Sequence, residues 1–280
     1  MKIDNLTPAL GAEISGLDLS APLIDETAER IYQVLLDRLV IMFRGQNMSP
    51  DAQVHFARAF GTLDEPHHVY PQVPGRPEIV MLRNDASHPP DTDDWHTDLT
   101  FRVDPPFASV LYAREVPRTG GDTLWSSQYA AYDGLPEQMK AQLAGLEAVH
   151  DMGSFRNDYV ADSGDPTLLN EAMASVGSAV HPVVRAHPVT GRRHLYVNSS
   201  FTRHIIGMST RESDRLLGYL YDHMDRPEYQ VRFRWSDGTL AMWDNRVTQH
   251  YAVADYLPHA RLMHRVTVID DRRAGGERPA

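Results

Sequence analysis

The chain has 280 residues, with 27 Lys and Arg against 38 Asp and Glu, 14 His, no Cys and 42% hydrophobic residues, the make-up of a globular protein that buries a core. A formal charge of −11, with no basic run, argues against nucleic acid as a partner, because phosphate backbones are held by clustered Lys and Arg. The absence of Cys excludes disulfides, thiolate metal sites, iron–sulfur clusters and thiol nucleophiles, which leaves His and carboxylate as the only donors for a transition metal.

No apolar run approaches the roughly 18 residues of a membrane span, and Asp4 interrupts any apolar leader. A cytoplasmic protein without a membrane partner is expected, as one domain over residues 1–280. Residues 3–19 read as short strands broken at Pro8, Gly11 and Gly16. Ala28, Ile31, Val34, Leu35 and Leu39 have the spacing of an amphipathic helix over 26–39. Val40-Ile41-Met42-Phe43 reads as a buried strand. A second helix starts at Ser49 with Pro50 in its first turn, and Gly61 ends it. Further strands are predicted at 78–82, 108–114, 183–187, 194–198, 230–235, 239–243 and 261–269, with helices at 136–146 and 210–224. Residues 153–180 are poor in large apolar side chains and read as an excursion. Short strands dominate the last two-thirds, which suggests an antiparallel barrel or sandwich decorated by helices.

The densest chemical signal is Trp95-His96-Thr97-Asp98. On a strand, His96 and Asp98 would project from one face and offer an imidazole beside a carboxylate. Trp243-Asp244-Asn245-Arg246-Val247-Thr248-Gln249-His250 delivers another histidine from a turn far along the chain. Two imidazoles and one carboxylate leave three positions of an octahedral ion open, as in non-haem Fe(II) oxygenases, although a zinc site remains open on ligand type alone. In 261–269 the alternation places Arg261, Met263, Arg265 and Thr267 on one face and Leu262, His264, Val266 and Val268 on the other. If the arginine face is interior, each guanidinium needs an anion. Two bound anionic small molecules would supply it, and pairing with Asp244 or Asp255 is the competing reading. His88, His181, His187, His194, His204, His223 and His259 are expected at the surface or at strand edges, and His264 in packing or at an interface.

These blocks, together with Gly120-Gly121-Asp122-Thr123-Leu124-Trp125 and Asp255-Tyr256 through Arg265, closely resemble the 2-oxoglutarate-dependent taurine dioxygenase family. The resemblance runs from Gly11 to about Asp271. It implies a mixed α+β, mainly β fold, a double-stranded β-helix (jelly-roll) barrel with flanking and inserted helices. It implies His96, Asp98 and His250 as Fe(II) ligands, with O2 and 2-oxoglutarate as cosubstrates. Thr123 and Arg261 then hold the distal carboxylate of 2-oxoglutarate, and Arg265 the substrate sulfonate. His67, Tyr70, Phe155 and Phe201 match further substrate contacts, and Thr92 stands where taurine enzymes carry Asn. Segments 64–94 and 151–181 would form a lid, and a homodimer or tetramer is implied.

The activity so implied is hydroxylation of the carbon next to sulfur in a small organosulfonate, taurine first, releasing sulfite and an aldehyde with succinate and CO2. An alkylsulfatase or another 2-oxoglutarate dioxygenase of the same superfamily is the alternative. A reading from a different class is a catalytically silent small-anion-binding barrel, which predicts a missing ligand.

Overall fold

The computed structural model describes residues 1–65, 70–90, 93–152, 167 and 177–274. A hairpin of β1 (Lys2–Asn5) and β2 (Ala12–Ser15) leads into α1 (Asp25–Arg38), β3 (Val40–Phe43) and α2 (Pro50–Arg58). Helix α1 buries Ala28, Ile31, Tyr32 and Leu35, one face at helical spacing, with Asp25 and Glu26 in its first turn and Arg38 in its last. Helix α2 begins as its sequence predicts, with the Ser49 side chain accepting from the Ala52 amide and Pro50 at the start.

Strands β4 (Gln72–Val73), β5 (Arg76–Asn84), β6 (Ala108–Glu115) and β7 (Thr123–Ser127) follow. Then come α3 (Gln128–Asp133), α4 (Glu137–Leu143), β8 (Glu147–Asp151), β9 (Ser178–Pro182), β10 (Val184–Ala186), β11 (Arg193–Leu195) and β12 (Thr202–Ile205). The chain ends with α5 (Thr210–Met224), β13 (Gln230–Phe233), β14 (Leu240–Asp244), β15 (Thr248–Ala252) and β16 (Arg261–Val268). Ser209 and Glu212 form a reciprocal capping box at the start of α5.

Eight strands make the main sheet, in the order β1-β2-β3-β14-β6-β16-β5-β4, and three make a second sheet, β13-β7-β15. Smaller sheets are β12-β8-β9 and β10-β11. The alternation of side chains divides the main sheet into two faces. Ile41, Phe43, Val110, Leu240, Met242, Val266 and Val268 turn outward against α1 and α2. Val40, Met42, Leu111, Ala113, Ala241, Trp243 and Met263 turn inward, where they meet Trp125, Val231 and Phe233 of the second sheet. The Trp125 and Trp243 rings touch across that gap, with centroids 5.7 Å apart. A third core joins α3 and α5 to the smaller sheets.

The architecture is the expected mixed, mainly sheet one, but strand pairing among the described residues gives separate open sheets and no closed ring. Two local expectations need correction. Residues 96–98 are not a strand: His96 makes one isolated bridge to His250, and the chain then turns. Of the seven histidines expected near the surface, His181, His187, His194 and His223 are buried. Each has a hydrogen-bond acceptor or carboxylate within reach, which lets a polar ring enter the core. No helix among the described residues is long and apolar enough to cross a membrane.

Candidate metal centre

Two separate segments bring the three predicted ligands together. The amide of His96 donates to the His250 carbonyl at 3.0 Å, and the His250 amide returns the bond at 2.8 Å. This closely bonded antiparallel pair places both imidazoles on one face. Their ring centroids are 4.1 Å apart. Asp98 joins them because the chain turns sharply: Leu99 adopts a left-handed φ of 57°, costly for a branched residue and common where function fixes the backbone. Asp98 Oδ1 lies 3.7 Å from His96 Nε2 and 3.8 Å from His250 Nε2. One donor atom from each residue fits within a 4.8 Å cluster, and all three residues are buried.

Hydrogen bonds set the state of each donor. His96 Nδ1 is 2.8 Å from the Asp94 carbonyl, which can only accept, so Nδ1 donates there and Nε2 is the ring nitrogen turned to Asp98. Burial pushes the His250 imidazole down to about 3, so it is neutral at physiological pH. Burial alone would raise the Asp98 carboxyl, but His250, Arg265 and His96 beside it outweigh that and hold it well below the usual carboxylate range. A neutral His250 imidazole and an ionised Asp98 carboxylate are donor states that suit a divalent metal.

Several contacts that the sequence did not assign hold this geometry. The Asn245 carboxamide accepts from the Asp98 amide at 2.9 Å and donates to the Asp98 carbonyl at 2.9 Å. Thr97 Oγ1 donates to the Thr248 carbonyl at 2.9 Å, and Ser109 Oγ donates to Asp98 Oδ2 at 2.7 Å. Asn245 lies inside the motif that delivers His250, and Ser109 interrupts an apolar strand on its inward face. Both signals were visible, but neither identifies its partner.

The two arginines of β16 share one face, as the alternation predicts, and that face is the inward one, where Met263 between them joins the inner core. The Arg265 guanidinium is 3.5 Å from Asp98 Oδ1, and its Nε is buried without a partner. Arg261 is 6% exposed, its Nε is also unpartnered, and no carboxylate among the described residues forms an ion pair with it. Burial lowers its pKa, with Tyr256 nearby opposing. Asp244 and Asp255 do not take up Arg261: Asp244 binds Arg246 and His187, and Asp255 binds the Gly121 amide and Arg232. Gly121, at φ +69°, lies against the Arg261 stem, where a methyl would come 3.3 Å from Cδ. Thr123, two residues on, is buried with Oγ1 accepting from Trp235 Nε1 at 2.9 Å.

Phe201 stands edge-on to His96 at 6.2 Å and packs on Phe101 at 5.1 Å, beside the centre. Tyr70 is half-buried ahead of β4, whose Gln72 pairs with Val80, the register partner of Arg265. His67, Thr92 and Phe155 lie outside the described residues, as does part of both proposed lid segments.

The residues fit an octahedral iron with three open positions, and the buried, unpaired Arg261 fits the carboxylate of a bound 2-oxo acid. The class so defined is the Fe(II)- and 2-oxoglutarate-dependent dioxygenases, which also consume O2. The profile described as "Taurine catabolism dioxygenase TauD, TfdA family" matches residues 2–267, and the chain belongs to that family. An "Alpha-ketoglutarate-dependent sulfate ester dioxygenase" of Pseudomonas putida is 39% identical over 277 residues, covering 95% of this chain and 88% of the relative. An "Alkylsulfatase" of Acinetobacter baylyi is 36% identical over 286 residues, covering 98% and 87%. Among solved structures, a "Taurine Dioxygenase" from Burkholderia xenovorans superposes with a TM-score of 0.83 at 35% identity, covering 96% of this chain and 89% of that one.

Proposed function

We propose that the chain oxidises the carbon next to the sulfur–oxygen group of a small organosulfur oxyanion, a sulfate ester or a sulfonate with an apolar carbon chain. In this reading His96, Asp98 and His250 hold Fe(II), Arg261 and Thr123 hold the distal carboxylate of 2-oxoglutarate, and Arg265 holds the substrate anion. The two sheets correspond to the halves of a double-stranded β-helix, and residues 1–280 to one dioxygenase domain. Iron, when bound with 2-oxoglutarate and O2, supplies the oxidant.

The protein's own contribution is binding and orientation. The observation that carries the reading is Arg265, whose guanidinium reaches to 3.5 Å from a metal ligand while its Nε lacks a partner. An oxyanion captured there has its neighbouring carbon beside the metal, and placement of that kind is a main source of rate. Phe201 and Phe101 give the carbon chain an apolar wall. Burial of all three ligands excludes bulk water.

Hydroxylation of the carbon bearing a sulfate oxygen gives a product that collapses to an aldehyde and sulfate. The same step next to a sulfonate gives an aldehyde and sulfite. One oxygen atom of O2 enters the substrate and the other enters succinate as CO2 leaves. Taurine is the second reading, carried by the resemblance at His67 and Tyr70. A panel of taurine, an unsubstituted alkyl sulfonate and an alkyl sulfate, scored for succinate, sulfite and sulfate, separates the two. Sulfate release from the alkyl sulfate with little sulfite from taurine supports the first reading, and the reverse ranking supports taurine. Absence of succinate with every substrate would return the chain to a silent anion-binding protein, although none of the three ligands is missing.

A further inference from the structure

We propose that Ser109 is a positioning residue that commits Asp98 to binding metal through one oxygen and thereby keeps Arg265 available for the substrate anion. Asp98 has two carboxylate oxygens and four side chains within reach. Oδ1 faces both imidazole Nε2 atoms and also lies 3.5 Å from Arg265. Oδ2 is taken by the Ser109 hydroxyl at 2.7 Å.

Ser109 is placed to hold its end firmly. It is fully buried on β6, a central strand of the main sheet, and its register partners are Trp243 of β14 and Thr267 of β16. Its inward side chain replaces an apolar one in Ala108-Ser109-Val110-Leu111. A hydroxyl in such a position stays only with a partner, and Asp98 is that partner.

The consequence concerns Arg265. A guanidinium binds a carboxylate best through two parallel hydrogen bonds that engage both oxygens. With Oδ2 occupied by Ser109, Arg265 has only a long contact to Oδ1, and its Nε stays unpartnered. Without the Ser109 hydroxyl, Asp98 is free to rotate into a two-toothed pair with Arg265. That pair would draw the carboxylate from the metal and the arginine from the substrate at once. Ser109 therefore separates two charges that the low-dielectric interior would otherwise bring together.

This inference rests on the reading of His96, Asp98 and His250 as metal ligands, and the test separates the two. Binding of Mn(II) as a redox-silent probe is titrated for the wild type, S109A, S109T and H250A, without turnover. Binding of 2-oxoglutarate and of an alkyl sulfate to the Mn(II)-loaded proteins is then measured, and each protein is melted to check its fold. S109A should lose about tenfold in Mn(II) affinity, the lower end of the range for the loss of a group that orients a ligand. It should also lose about tenfold in alkyl sulfate affinity, with 2-oxoglutarate held nearly as before, and S109T should recover both by keeping the hydroxyl. If S109A lacks a cooperative melt, S109C, with its weak S–H donor, should give the same ranking at smaller size. Unchanged Mn(II) and alkyl sulfate binding in S109A, or an equal loss for all three ligands, overturns the inference. Wild type that does not bind Mn(II), or H250A that binds it as tightly, overturns the metal reading itself and this inference with it.

Discussion

Asp98 and Asp244 are both almost fully buried, both lie in the two segments that carry the proposed metal ligands, and both are held well below the usual carboxylate range against a burial effect that pushes the other way. Their surroundings differ sharply. Asp244 receives the Arg246 amide at 3.0 Å, Arg246 Nε at 2.8 Å and Arg246 Nη2 at 2.6 Å, with His187 Nε2 3.1 Å away. Arg246 continues to Asp271 at 2.8 Å, where Tyr32 of α1 also donates, and its guanidinium lies 4.3 Å above the Phe107 ring. Asp98 has Ser109 on one oxygen and only the distant Arg265 and the two imidazole Nε2 atoms, 3.7 and 3.8 Å away, on the other. A saturated buried carboxylate ties the fold together, whereas an under-coordinated one waits for a ligand from outside.

That contrast is broken most directly at the centre. Asp98→Ala should reduce turnover by at least about a thousandfold, beyond the 10- to 100-fold typical of residues that only orient a metal ligand. Its urea midpoint should fall far less than that of Asp244→Ala, because Asp98 has only the Ser109 hydroxyl and a long contact to Arg265 as folded-state partners. A variant that is both inactive and strongly destabilised would place Asp98 with Asp244. The reciprocal change, Asp244→Ala, should cost about 3–5 kcal/mol by urea denaturation, since it leaves the Arg246 charge buried with only Asp271 to balance it. Less than about 1 kcal/mol would mean the network is not a tie.

The same contrast separates the arginines. Neighbouring carboxylates hold Arg246 charged, while burial disfavours the charge on Arg261. Arg261→Ala should raise the KM for 2-oxoglutarate by roughly 30- to 100-fold, the worth of a charge-assisted bidentate contact. Its stability should be unchanged or higher. A KM within about threefold of wild type, little more than 0.6 kcal/mol, would remove Arg261 from the cosubstrate site.

The sequence disclosed the centre better than its setting. His96, Asp98 and His250 were legible because metal chemistry restricts residue type and because a motif keeps its spacing. The strand assumed for 96–98 was not there, since the left-handed turn at Leu99 answers to the site and not to local propensity. Short strands such as β12 and β15 carry too few residues for a period to register, and they form because a neighbouring strand supplies their hydrogen bonds. The buried histidines were unreadable for a related reason. His150 and His181 meet Thr100 only in the folded chain, and nothing local announces that partner.

Those histidines give a third way to sharpen the comparison, through pH. Burial pushes His150 down to about 3, with His181 contributing, and pushes His194 down to about 4. Both folded values lie below the unfolded value of about 6.5, so as pH falls through about 6.5 the unfolded state binds more protons and stability declines towards about pH 4. Asp98 and Asp244 have depressed values, so their contribution disappears only as pH falls below about 4. Urea midpoints of the metal-free protein should therefore begin to drop between about pH 6.5 and 5, with a second decline below about pH 4. A flat profile down to about pH 4 would mean that the buried rings are not linked to folding.

The smallest expected effect tests whether Arg261 is independent of its neighbours. Asp255 accepts from the Gly121 amide at 2.8 Å and lies 3.6 Å from Arg232, with both charged side chains about half exposed. An exposed pair of this kind is worth about 0–1 kcal/mol, and its carboxylate is one of the two that the sequence offered as partners for the β16 arginines. Asp255→Asn keeps an acceptor for Gly121 and removes only the charge. Stability should change by less than about 0.5 kcal/mol, and the KM for 2-oxoglutarate by less than about twofold. A rise in KM approaching that of Arg261→Ala would show that Asp255 acts on the arginine through Gly121, whose backbone lies against the Arg261 stem. Arg261 would then belong with Arg246 as a structurally supported charge, and the division between saturated and waiting groups would have to be drawn elsewhere in the inner core.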